Sequence, residues 1–600
     1  MLGAVCVPLF FSKSFDLARF ELAIVVILAA VGFNFAFGIS GQLAIGQPVL
    51  LAVGGYTAGI LSATRGWGFE KTIVPAILAT MAVSVLLGLP SLRIRGWYFA
   101  ITSFFAINIQ PDVLELLEKH TGGSRGLVGI ESLKVGDTVL EPWVVYEIFL
   151  AALILCFLGA TTLSRSGWGL SMRLLRDQPV ASAATGLNPV WAKARVYLLT
   201  AIPCAVAGSV YAHSVRYLAP TVFNFNLVLV ILGGTFLGGL GTMWGPIIGV
   251  SVFQAISLWI GPFSPYNQLF LGVAVLVTAV LFKGGIIEGA GRVADRVRSL
   301  RSDAPEVEVE VEDTVDVPSD APQVVDVGPS MAQVGLRVAG IEKHFGGNKV
   351  LVGIDLDVPA GTMVGFVGPN GSGKTTLLNI ISGFVESDSG TVRLGDVDIT
   401  GTPTHKVAAL GLARTFQVPR LVDDLTVGEN VELGEIGLDR QRALAGLFRP
   451  PGFRRKDRER AERARHVCRF LGFSEEVIST EAGSLPLGLK RLTEIGRAIA
   501  AGAPMICLDE PAAGLDDAER AALGVVLQRL VAQGRTILVI EHNLRFVLES
   551  CDSVVLLADG RIVGEGDPAE QATWPSVLTD YFGTYLLDLD DAPTGAPAAR

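Results

Sequence analysis

"MVGFVGPNGSGKTTLLNIISG", Met363 to Gly383, reads as a strand, a loop and a helix in immediate succession. An apolar run leads into Gly368, four residues, then Gly373, Lys374 and Thr375, after which the apolar spacing takes a helical period. Glycines there let backbone N–H groups wrap phosphate oxygens at a helix N-terminus, the lysine neutralises β/γ charge, and the hydroxyl after it can ligate Mg2+. The candidate binding set is therefore Gly368, Pro369, Asn370, Gly371, Ser372, Gly373, Lys374, Thr375 and Thr376, with ATP and Mg2+ as the implied ligands.

Two later apolar runs extend this chemistry. "PMICLDEP" ends in Asp509 and Glu510, an acid able to hold Mg2+ through water and a neighbouring carboxylate placed to polarise a water against the γ-phosphate. "TILVIEH" ends in His542, a candidate γ-phosphate sensor. Metal candidates are thus Thr375 and Asp509; catalytic candidates are Glu510 and His542.

The rest of the chain is of a different kind. It has 600 residues and a mean hydropathy of +0.49, too apolar for an ordinary soluble protein of that length. Before about residue 290 it runs in apolar stretches, approximately 19–37, 43–63, 72–92, 97–117, 144–163, 196–214, 225–240, 243–260 and 267–282. Most approach the roughly 20 residues that cross a bilayer. "GISGQLAIGQP" and "GGTFLGGLGTMWG" interrupt the second, seventh and eighth. Gly234 with Gly238, and Gly241, Gly245 and Gly249, recur every four residues and allow close helix packing. Asn34, Gln42, Gln47, Asn108 and Gln110 need partners at membrane depth, whether neighbouring helices or a polar path. Basic clusters at Arg93 and Arg95, at Arg165 to Arg195, and at Lys283 to Arg298 place three loops on the cytoplasmic side.

A net charge of −10 argues against nucleic-acid binding. The run Phe453 to Arg465 alternates acids and bases at helical spacing and reads as a solvated helix face. Six scattered cysteines give no disulfide framework or zinc pattern. "MLGAVCVPLFF" lacks the basic start and cleavage pattern of a removed signal peptide.

Motif order makes a resemblance specific. The P-loop, "FQ" at 416–417, "SLPLGLKRLTEIGRAIA" at 484–500, "LDEP", "AGLD" at 513–516 and "EH" at 541–542 resemble an ABC ATPase. The resemblance implies that Phe345 stacks on adenine and that Gln417, a catalytic as well as a metal candidate, couples the metal to a membrane domain. It further implies that Glu510 is the base, Asp516 belongs to the D-loop, His542 is the switch histidine, and Gly488 is the signature glycine facing a partner's nucleotide. Pro486 and Leu489 depart from the usual signature serine and glutamine.

Upstream, "GFNFAFGISGQLAIGQPVLLAVGGYTAGIL", "LRIRGWYFAITSF", "TGGSRGL", "SRSGWGLSMRLLRDQPVASAATGLNP" and "LGGLGTMWGPIIG" resemble permeases of the branched-chain amino acid importer family. The fold class expected is an α-helical polytopic membrane domain plus an α/β P-loop NTPase (ABC ATPase) domain. The resemblance implies ATP-driven import of branched-chain or other hydrophobic amino acids. It also implies a second permease subunit, a second ABC ATPase subunit, an extracytoplasmic solute-binding protein and the lipid bilayer as partners. The alternative reading is the same machinery importing urea, short amides or aromatic acids; an exporter half-transporter and a membrane-anchored ATPase regulator are more distant readings.

Domain boundaries follow: a permease at 1–299, an acidic flexible linker at 300–332, an ATP-binding domain at 333–585 and a disordered tail at 586–600. In the linker, "APEVEVEVEDTVDVPSDAP" has a strand-like Val/Glu alternation, but it is bracketed by Pro305 and Pro318 and joins two complete modules, so it reads as a tether. Location in the cytoplasmic membrane with the ATPase and linker in the cytoplasm is expected. Residues 173–186 resemble the family's coupling segment and are expected to form a short helix in an ATPase groove near Gln417.

Overall fold

The computed structural model describes residues 14–93, 97–135, 138–260, 269, 272–273, 276–277, 284–289, 333–437, 446, 450–573 and 576. The apolar stretch at 267–282 therefore falls largely outside the described residues, and the linker at 300–332 and the tail at 586–600 fall wholly outside. Two compact units divide the rest, with Asp177–Asn188 grouped with the α/β portion rather than with the apolar helices.

The apolar unit contains α1 (Ser14–Asn34), α2 (Gln47–Arg65), α3 (Phe69–Arg93), α4 (Trp97–Leu116), α5 (Pro142–Ser164), α6 (Gly167–Asp177), α8 (Pro189–Val215), α9 (Phe225–Gly238) and α10 (Gly245–Ile260). The intervening α7 (Pro179–Ala184) belongs to the other unit. Among the described residues, five helical segments are long and apolar enough to cross a membrane: Leu17–Ile39, Phe69–Pro90, Pro142–Ser164, Pro189–Val215 and Pro220–Gly238. Both interruptions expected from sequence are present. The chain passes from α1 into a π-helix, Phe35–Ile39, before α2 begins at Gln47, and it breaks again between Gly238 and Gly245.

The glycine rows do pack closely. A Cβ at Gly238 would run into the Gly245 carbonyl, and one at Gly249 into the Gly234 carbonyl, so α9 and α10 meet backbone to backbone. Four of the five deep amides have protein partners. Asn34 Nδ2 donates to Thr242 O (2.9 Å) and its Oδ1 accepts from Gly241 N (2.8 Å). Gln42 Oε1 accepts from Tyr197 OH, Gln47 Oε1 accepts from Cys204 Sγ, and Asn108 Nδ2 donates to Phe104 O on its own helix. Gln110 is buried with neither end of its amide hydrogen-bonded. At the π-helix, Arg176 Nη1 donates to Gly38 O (2.7 Å), satisfying a carbonyl that the irregular turn leaves over.

The second unit is built on two sheets. One contains β1 (Leu336–Phe345), β2 (Asn348–Val358) and β4 (Ser389–Leu394), paired antiparallel in the order β2-β1-β4 and extended by Val397–Asp398. The other runs β9-β8-β3-β7-β6-β5, using β3 (Met363–Val367), β5 (Leu412–Arg414), β6 (Met505–Asp509), β7 (Thr536–Ile540), β8 (Ser553–Ala558) and β9 (Arg561–Gly566). Strands β8 to β5 are mutually parallel, and β9 is an antiparallel edge. The three runs singled out in the sequence, β3, β6 and β7, are buried along their whole length, as central parallel strands covered on both faces must be. Their carboxyl ends therefore converge, which brings Gly368, Asp509 and Glu541 to one rim of the sheet.

Besides α7, the helices of this unit include α11 (Lys374–Ile381), α12 (Thr404–Ala409), α13 (Val427–Ile436), α14 (Pro451–Phe470), α15 (Leu487–Ala500), α16 (Asp517–Ala532) and α17 (Leu544–Ser550). Helix α14 contains the mixed-charge run, but its face is not wholly solvated. Arg460 is buried, with Nε on Glu432 (2.9 Å) of α13 and Nη2 beside Asp457 (2.5 Å), and Arg463 pairs with Glu435. The helical period is borne out; α13, which covers one side of the helix, brings Glu432 from twenty-eight positions before Arg460.

Candidate functional site

The P-loop leaves β3 and enters α11 through residues that only glycine accommodates easily: Gly371 has φ +83° and Gly373 φ +106°. Gly368, Ser372 and Lys374 are buried, whereas Pro369, Asn370, Gly371 and Thr375 are exposed at the rim and Gly373 and Thr376 are half-buried. Lys374 Nζ donates to Gly368 O (2.7 Å) and Pro369 O (2.9 Å), curling over the loop. Burial holds its pKa below the ordinary lysine value, opposed by the charges of Glu510 and Asp509. Ser372 Oγ is buried with no hydrogen-bond partner, the kind of orphaned donor that a phosphate oxygen satisfies.

Glu510 stands opposite in a strained conformation, with φ +49°. A non-glycine residue there costs on the order of 1–2 kcal/mol, and the surroundings pin it. Its N–H donates to Ile540 O (2.8 Å), and its carbonyl accepts from Arg491 Nη1 (2.5 Å) of α15. The two carboxylate oxygens are separately engaged: Gln417 Nε2 donates to Oε2 (2.9 Å), and His542 Nε2 lies 2.8 Å from Oε1. The carboxylate is thus aimed from both sides. Gln417 Oε1, the exposed hydroxyl of Thr375 and the Asp509 carboxylate are oxygen donors, a set of the kind that suits Mg2+ once phosphate and water complete it. Burial raises the Asp509 pKa, opposed by Arg414.

The remaining candidates fall into separate groups. Phe345 is half-exposed at the end of β1, with Lys343 Nζ 5.5 Å from its ring centre. Gly488 lies in the first turn of α15, where a Cβ would strike the Glu519 carboxylate; Glu519 in turn shares a capping box with Asp516 at the start of α16. Pro486 is the N-cap of α15, and Leu489 is buried in the core, so its side chain is not available at the surface.

Three functional-looking residues escaped the sequence reading. Glu494 on α15 accepts from Phe416 N (3.2 Å) and Arg420 N (3.0 Å), clamping both ends of the segment that carries Gln417. Glu541 accepts from Ala512 N (2.5 Å) and His542 N (3.0 Å), tying the segment after Glu510 to the one bearing His542. Arg414 reaches Asp509. For Arg414 and Glu541 the only signal was a charge inside an apolar run, as in "LGLARTFQ" and "TILVIEH"; Glu494 lies in the mixed-charge "LKRLTEIGR".

Comparison with known proteins bears on this arrangement. Residues 19–280 match the family described as "Branched-chain amino acid transport system / permease component", and residues 351–513 match "ABC transporter". The ATP-binding protein BraF of a high-affinity branched-chain amino acid transport system in Pseudomonas aeruginosa is 35% identical over 254 residues, 42% of this chain and 99% of that one. The chain belongs to the branched-chain amino acid ABC transporter family, as a permease joined to an ATPase. A probable LivG of Methanocaldococcus jannaschii is 36% identical over 41% of this chain and 97% of its own length; LivG of Escherichia coli K12 is 33% identical over 42% and 99%. The solved ADP conformation of an ATP-binding cassette from an ABC transporter is 35% identical, covering 42% of this chain and all of that one, with a TM-score of 0.36. In this family setting the ATP-binding unit is an ABC ATPase, and the apolar helices form a membrane permease.

Proposed function

We propose that this chain imports branched-chain or other hydrophobic amino acids across the cytoplasmic membrane as a fused permease and ATPase subunit. Its domains are the permease at 1–299, the tether at 300–332, the ATPase at 333–585 and a tail at 586–600. It works with a second permease, a second ABC ATPase and an extracytoplasmic solute-binding protein, and its ATPase and tether lie in the cytoplasm.

In this reading Lys374 and the P-loop amides hold the β- and γ-phosphates, Phe345 stacks on adenine, and Glu510 takes the proton of the attacking water while His542 bonds the γ-phosphate. Thr375, Gln417 and Asp509 would hold Mg2+, which when bound would supply positive charge against the phosphates. Gly488 and Asp516 face the nucleotide of the second ATPase. Closure of the two ATPases then draws on the permease through the segment after α6.

One observation carries the coupling. Asp177–Asn188, although flanked by apolar helices in the sequence, packs with the ATPase unit: α7 lies on α12, and Asn188 Nδ2 is 3.0 Å from His405 Nε2. A Cβ at Gly437, just beyond α13, would strike the Thr185 carbonyl. Of the short helix expected over 173–186, residues 173–177 belong to α6 and 179–184 form α7, and the contacts that support its seat are with α12 and the end of α13 rather than with Gln417. Uptake of labelled leucine into proteoliposomes containing the partner subunits and binding protein tests the function. Gln417→Ala should leave ATP binding within a few-fold of wild type and abolish uptake; undiminished uptake refutes the coupling role.

A further inference from the structure

Arg414 is the last residue of edge strand β5, and its guanidinium is buried beneath the rim described above. Nη1 donates to Asn379 Oδ1 (2.7 Å) and to Ser382 Oγ (2.7 Å), at the C-terminal end of the P-loop helix α11. Nη2 donates to Asp509 Oδ2 (3.3 Å). The guanidinium carbon sits 5.3 Å from the ring centre of Phe384 and 5.4 Å from that of Phe416, in the corner made by these two nearly perpendicular rings. Phe416 immediately precedes Gln417.

One planar cation therefore meets three separate pieces of the site. A guanidinium can do this because its donors fan out in a fixed plane while its faces stack on aromatics. An ammonium cannot satisfy all three at once. The position at the end of α11 also places positive charge against the negative end of the helix dipole. The backbone supports the same link: Thr415 Oγ1 accepts from Asp509 N (3.3 Å), and Thr415 N donates to Cys507 O (3.0 Å).

We propose that Arg414 is a positioning residue that fixes the orientation of the Asp509 carboxylate toward the metal and makes that orientation depend on the placement of the Gln417 segment. Of the two carboxylate oxygens, the cation engages Oδ2. Displacement of Phe416 removes one wall of the corner, and with it the restraint on Nη2. The metal site thereby responds to the same segment that reports on the permease. This rests on the reading of Asp509 as the metal-holding carboxylate.

The test uses the full chain in lipid nanodiscs with a fluorescent ATP analogue, titrated with and without Mg2+, and Mn2+ resonance spectra of the nucleotide complex. In Arg414→Lys and Arg414→Met the gain in nucleotide affinity produced by Mg2+ should fall roughly tenfold, the scale of one charge-assisted hydrogen bond. Metal-free affinity should stay within twofold, and the Mn2+ spectrum should broaden. Lysine keeps the charge and protects folding, so a folding failure confined to methionine leaves the test intact. An unchanged Mg2+ gain in Arg414→Lys overturns the proposal, as does an equal loss of metal-free affinity, which would make the role merely structural. Asp509→Asn separates the underlying reading: if it too keeps the full Mg2+ gain, the assignment of Asp509 itself is wrong.

Discussion

Glu510→Gln isolates what one carboxylate does, because it removes charge and basicity while keeping shape. The side chain is held by Gln417 on one oxygen and His542 on the other, and its backbone by Ile540 and Arg491, so the substituted amide stays where the carboxylate was. Loss of a positioned general base costs roughly 10²- to 10⁴-fold in rate, equivalent to about 3–5.5 kcal/mol of barrier. In the proposed assembly the second nucleotide site would borrow Pro486, Gly488 and the buried Leu489 in place of a regular signature, and it should contribute little turnover of its own. Phosphate release by the assembled complex should therefore fall to roughly 1% or less, with ATP affinity within a few-fold of wild type. Glu510→Gly sharpens the comparison. It removes the left-handed penalty of about 1 kcal/mol, which in a domain of this size raises Tm by about 2–4 °C, while hydrolysis is lost. Retention of half or more of wild-type turnover in Glu510→Gln would refute both the base assignment and the asymmetry between the two sites.

Two further outcomes follow from the geometry. Gly238→Ala should destabilise the permease by about 1–3 kcal/mol, the range for overpacking, because the new methyl meets the Gly245 carbonyl; Gly452→Ala, where the space is open, should not, and thermal unfolding in detergent compares them. Asp388 accepts from Lys343 Nζ and from the His344 N–H, which hold its carboxyl at about 2, well below the ordinary 3.8. A depressed carboxylate stabilises the fold above its unfolded value and loses that contribution as pH falls through the folded one. Asp388→Asn should therefore lower Tm at pH 7, and the gap should close as pH drops from about 4 to about 2.

Much of this protein can be read from local spacing. The P-loop glycines, the buried runs of β3, β6 and β7, the acids and histidine at their ends, and the four-residue glycine rows all announce themselves, because backbone conformation and strand burial depend on residues that are close in sequence. The two breaks in the apolar half were visible for the same reason. The expected solvated face of α14 was only partly right, since Arg460 finds Glu432 twenty-eight positions away.

What the chain order alone determined is a membrane permease followed by an ATPase, each with its own periodicity and motifs. Tertiary structure decided which charges matter inside the site. Arg414, Glu494, Glu541 and Arg491 have no evident role until folding brings Asp509, Phe416, Ala512 and Glu510 against them. The reason is electrostatic: a buried charge is tolerable only beside its partners, and those partners arrive from segments 19 to 95 residues distant.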